Sequence, residues 1–151
     1  LLDIALDHLS LGRAHLGLAV TATEPAAPGE DRAAGLAQAA EHLDRAVDGL
    51  RRAGTEHHLP RALLARAALR RVRCDFTSAE ADLTEALEIA ERGGMRLHEC
   101  DAHLEWARLC RERGEVAAMR GHVARAGELV AATGYGRRQR EVAGFAGTLT
   151  P

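Results

Sequence analysis

The chain has 151 residues, with 20 basic and 22 acidic side chains and a formal net charge of -2. Every basic residue is Arg, and Lys and Asn are absent; Ala and Leu, 31 and 21 in number, make up about a third of the chain. Strand formers are scarce, with Ile4 and Ile89 the only isoleucines, so a sheet protein is disfavoured and an all-α fold is expected. Near-neutral charge argues against a general nucleic-acid partner. No run of about 18 apolar residues exists, so no membrane span is expected. Cys74, Cys100 and Cys110 form an odd, sparse set with no CxxC, which suits a reducing cytoplasm. Leu1 sits within an apolar periodic segment, which predicts a fragment of a longer protein. Arg-only usage with much Ala and Gly resembles the codon bias of a high-GC bacterium.

In chain order, Leu2 to Thr21 reads as the first helix. Thr23 to Asp31 (TEPAAPGED) reads as a polar loop, and Ala33 to Ala53 as the second helix. Leu59 to Arg73 follows, with Pro60 in the first turn, where a missing N–H costs nothing. Its apolar side is Leu63, Leu64, Ala67, Ala68 and Val72. After Cys74-Asp75-Phe76 comes a helix with the stripe Phe76, Ala79, Leu83, Ala86 and Ala90. Thr77 and Glu80 have the spacing of a capping box at its start. Residues 96–113 form the next helix, with Leu97, Leu104, Ala107 and Cys110 on its apolar side. Gly114-Glu115-Val116 then leads into a helix with the stripe Val116, Met119, Val123, Ala126 and Val130. Gly136 to Phe145 reads as a last helix, followed by a frayed GTLTP end.

A period of 40 residues runs through these helices. Ala39, Ala79 and Met119 share it, as do Leu43, Leu83 and Val123, and Ala46, Ala86 and Ala126. Gly54, Gly94 and Gly134 close the units, as Gly does where a left-handed C-terminal cap is needed. One domain over 1–151 is expected, in units 1–54, 55–94 and 95–134 plus a terminal helix at 136–146.

Cys74-Asp75-Phe76 with Ala79, Leu83 and Ala86, and Gly114-Glu115-Val116 with Met119, Val123 and Ala126, resemble the tetratricopeptide repeat. Ala67 and Ala107 sit where that family has its small first-helix residue. The period is longer than the family's usual 34, and the closing Pro is absent. Long repeats of this kind, and the run MRLHECDAHLEWARL (Met95 to Leu109), are similar to the C-terminal superhelices of bacterial STAND-type signalling proteins. The resemblance implies an all-α superhelix of about three helical hairpins plus a terminal helix, acting in protein–protein interaction. No GxxxxGK[ST] loop is present, and the absence of Lys rules one out.

The resemblance also assigns the concave groove to first-helix residues. These are Arg61, Leu64, Ala68 and Arg71 in the second unit, and Asp101, Leu104, Arg108 and Arg111 in the third, with Arg13 joining from the first. Several Arg in one groove could grip acidic side chains through paired hydrogen bonds. The opposing reading is that they pair with neighbouring Glu or stay solvated. Trp106 reads either as an anchor for a partner or as core.

His98-Glu99-Cys100-Asp101-Ala102-His103 is the densest polar run. His98 and Asp101 share one helix face and Glu99 and His103 another, so four ligands do not converge from this helix. His58 and His98 lie 40 apart and allow a stacked pair. Cys100 and Cys110 read as small buried hydrophobes. Ser10 and Ser78 lack a nucleophile context, and no cofactor is implied. The expected function is a protein-interaction module with a protein or peptide partner, acidic in charge. Self-association is the second reading, and a metal or enzymatic centre at His98, His103 and Asp101 a remote third.

Overall fold

The computed structural model describes residues 1–21 and 30–147. These residues are helical and contain no strand: α1 (Leu2–Thr21), α2 (Glu30–Arg52), α3 (Leu59–Val72), α4 (Phe76–Arg92), α5 (Arg96–Arg113), α6 (Val116–Thr133) and α7 (Gly136–Gly147). The expected loop at 23–31 lies outside the described residues up to position 29; Glu30 and Asp31 already belong to α2. Residues 148–151 of the expected frayed end also lie outside them, and Gly147 closes α7.

Consecutive helices pair as α1 with α2, α3 with α4 and α5 with α6, and each pair packs against the next. The first helices also meet one another, α3 touching both α1 and α5. The 40-residue stripe is what the pairs bury. Ala39, Leu43, Ala46, Ala79, Leu83, Ala86 and Ala126 are at most 1% exposed, and Met119 and Val123 are buried as well. Small residues at these positions let the helix axes approach closely. The first pair carries this furthest. A Cβ on Gly12 would lie 2.6 Å from Cγ of Leu43, and one on Gly49 would lie 2.8 Å from Cβ of Ala5.

The unit ends follow from backbone sterics. Gly54, Gly94 and Gly134 take φ of 63°, 63° and 68°, the left-handed region that Gly enters most cheaply. The turn between α5 and α6 uses Gly114 at 74°, whereas its counterpart between α3 and α4 is Cys74 at 60°. The expected capping box at Thr77 is corrected. α4 begins one residue earlier, and Asp75 is its cap, its carboxylate accepting from the Ser78 backbone N–H at 3.3 Å. Asp fits this position because its short side chain reaches back to a free N–H of the first turn. The Ser78 hydroxyl first, and this backbone N–H second, hold the Asp75 carboxyl below its ordinary range.

Candidate functional site

The first helices leave a groove of about 600 Å³ running across α1, α3, α5 and the start of α7. Its floor is low because small side chains lie under it: Gly17 on α1, and Ala65 and Ala68 on α3. Leu64, Val72 and Leu97 supply apolar walls. Six arginines line it, against the two carboxylates of Asp101 and Glu105. Arg13, Arg61, Leu64, Ala68, Arg71, Asp101 and Arg108, all expected at the groove, are brought together there.

Two expected residues are not. Leu104 is 1% exposed and packs with Cys100, Ala107, Met119, Val123 and Phe145. Arg111 lies outside the lining, and its guanidinium sits 5.1 Å from the centre of the Phe145 ring. Phe145 of α7 meets both: it packs in the same core cluster as Leu104 and lies against the Arg111 guanidinium. Trp106 also lies off the groove, stacked on His122 at 5.3 Å and packed among the core clusters. Leu97, expected to pack, is 46% exposed and lines the groove instead.

The groove's charges fall into two sets. Three arginines are already engaged. Arg71 donates from Nε to Glu105 at 2.6 Å and also pairs with Glu112. Arg108 pairs with Glu105 and with Glu141 of α7. Arg138 donates from Nε to Asp101 at 2.7 Å and from Nη1 to Glu141 at 2.8 Å. The network therefore ties α3 to α5 and α5 to α7. Burial pulls the Arg71 and Arg138 guanidinium pKa values down, but their carboxylate partners outweigh it and the net shift is upward. Both groups stay charged. Arg13, Arg61 and Arg137 form the second set: all three are exposed and have no partner among the described residues.

His98 also lines the groove, with Nδ1 buried and unpartnered. Burial lowers its pKa, with Arg61 and His58 adding and Asp101 opposing, so the ring is neutral at pH 7. His103 points elsewhere. It is 9% exposed and its Nδ1 meets Nδ1 of His122 on α6 at 2.9 Å. His98, Asp101 and His103 thus do not converge. Among the described residues no group of three or more His, Cys, Asp and Glu is placed to hold a metal ion. His58 contacts His57 at 4.1 Å between ring centres rather than stacking on His98. Burial pushes the Cys100 thiol up to about 11 and raises Cys110, so neither offers a thiolate near neutral pH. No helix among the described residues is long and apolar enough to cross a membrane.

No protein-family model, no curated protein and no solved structure matches the chain.

Sequence reasoning missed Leu97, Glu105, Arg137, Arg138 and Glu141. A signal for some of them was present: Arg61, Asp101 and Glu141 share one place in the 40-residue period, as do His58, His98 and Arg138. Extending the period into α7 places its first turn beside the groove.

Proposed function

We propose that this chain is a protein-interaction module of the tetratricopeptide type, binding a peptide, a helix or a neighbouring domain along the groove of its first helices. The observation that carries this reading is the groove itself: a low floor, apolar walls and three exposed arginines with no partner among the described residues. Leu97 and Val20 line it while 46% and 53% exposed, apolar surface that a partner would remove from water. The role is binding rather than catalysis, as the sensor or interaction region of a multidomain bacterial signalling protein working in the reducing cytoplasm. The test is to fill the groove. Ala68→Trp should abolish partner retention while leaving the helical melting curve unchanged, and Leu97→Ser should weaken it. A partner retained equally by both variants contradicts the proposal.

A second reading, self-association, rests on a different surface. Ile4, Leu11 and Leu18 lie seven residues apart on α1, off the groove, and are 61%, 47% and 69% exposed. That spacing makes an apolar seam of the kind that helices pair through. Sedimentation equilibrium tests it: a concentration-dependent dimer lost on Leu11→Ser supports the reading, and a monomer at every concentration removes it.

A further inference from the structure

We infer that the groove's occupant is an acidic segment with an apolar anchor, its carboxylates pairing with Arg13, Arg61 and Arg137. This rests on the groove being a binding site. Arg71, Arg108 and Arg138 each already hold a carboxylate, so a ligand that took them would displace Glu105, Glu141 or Asp101. Among the described residues Arg13, Arg61 and Arg137 hold none, and they come from three different helices, α1, α3 and α7. A ligand that satisfied all three would therefore cross the groove. An Arg fork pairs with a planar carboxylate through two parallel hydrogen bonds, so a carboxylate-bearing chain suits these residues.

Between these arginines the lining turns apolar. Ala68 leaves space beside Leu64, Val72 and Leu97, which fits one apolar side chain of the partner. His98 adds a reason to choose a polypeptide. Its buried, unpartnered Nδ1 would be satisfied by a peptide N–H or carbonyl, whichever tautomer the neutral ring holds.

A nucleic acid fits less well. Asp101 and Glu105 sit among the lining and repel phosphates. Among the described residues Tyr135 and His98 are the only rings of the lining, and the Tyr135 hydroxyl donates to Asp101 at 3.5 Å. A stacking platform needs several such rings.

The experiment uses three fluorescent probes on the full chain: a leucine-centred peptide flanked by Asp and Glu, its Asn/Gln isostere, and a single-stranded oligonucleotide. The acidic peptide should bind most tightly, and its affinity should fall as salt rises. Arg13→Gln, Arg61→Gln and Arg137→Gln combined should weaken it about tenfold, the sum expected of three exposed ion pairs, and should leave isostere binding unmoved. The positions are exposed, and unchanged melting of the triple variant confirms that it folds. The inference is overturned if the triple variant binds the acidic peptide as tightly as the parent, if the oligonucleotide binds more tightly, or if the acidic peptide does not bind. Equal binding of isostere and acidic peptide, abolished by Ala68→Trp, overturns the acidic partner while leaving the groove as the binding site.

Discussion

Arg66 of α3 clasps Asp82 of α4 through two parallel bonds, Nε to Oδ2 at 3.0 Å and Nη2 to Oδ1 at 2.8 Å. Arg70 reaches the same carboxylate at 2.7 Å, and Arg66 also reaches Asp44 of α2 at 3.1 Å. Asp82 belongs to a series. His42 and His122 stand 40 residues to either side of it, and each meets a His of its paired first helix, His8 at 2.8 Å and His103 at 2.9 Å. Each hairpin thus carries a polar contact at a common place on its second helix.

Removing one partner of the middle contact should be costly. Asp82 is 3% exposed and Arg66 8%, so Asp82→Ala leaves a buried guanidinium supported only by Asp44. A loss of about 3–5 kcal/mol is expected in urea unfolding. Asp82→Leu combined with Arg66→Met should recover most of it. A loss under about 1 kcal/mol for the single variant would show that the pair is not held as described.

The two His pairs predict an acid-sensitive fold. Burial, with His122 and Arg125 adding, lowers His103 to about 4, and burial lowers His122 and His42 as well. These rings are neutral when folded, whereas an unfolded His takes a proton near pH 6.5. The unfolded chain therefore binds more protons in this window, and stability falls as pH drops from about 6.5 towards 4. His103 alone should account for roughly 2–3 kcal/mol of that loss. His103→Leu places there the residue that α3 carries at Leu63, and should flatten the profile. Urea midpoints at pH 7 and pH 5 decide it, and an unchanged slope in the variant would refute the assignment.

Cys74 holds a left-handed backbone where the next unit has Gly114. Such a conformation costs a residue with a Cβ about 1–2 kcal/mol. Cys74→Gly should therefore raise stability by about 1 kcal/mol, less the entropy that Gly adds to the unfolded chain. A lower melting temperature for the variant would contradict this.

Gly12 and Gly121 should respond oppositely to Ala. At Gly12 the new methyl meets Leu43, and an overpacking cost of about 1–3 kcal/mol is expected. At Gly121, inside α6, it meets nothing within 4 Å, so the gain in helix propensity of about 1 kcal/mol should appear. Thermal melts of the two variants give the sign directly.

The helices and the buried stripe were legible because close packing repeats the same small and branched side chains every 40 residues. Ala46, Ala86 and Ala126 had only one environment to suit. The groove was legible in part. The resemblance to the tetratricopeptide repeat placed Arg61 and Arg71 at the groove, but it misplaced Leu104 and Arg111, which meet Phe145 of α7 instead. The pairing of Arg71 and Arg108 was not legible either. It depends on Glu112 and Glu141 arriving from positions 41 and 33 residues away, a matter of how neighbouring helices are set against each other. The polar series His42, Asp82 and His122 was written at the same spacing as the alanines, yet three different side chains disguise one position.

Under the proposed function, a partner binds the face formed by the first helices. Amide NMR shifts recorded while adding the acidic leucine-centred peptide test it most directly. Perturbations should concentrate at residues 13–21, 61–72, 97–108 and 135–138, with the outer surfaces of α2, α4 and α6 unmoved. Perturbations gathered on α2, α4 and α6, with Ala68 and Leu97 unmoved, would contradict it.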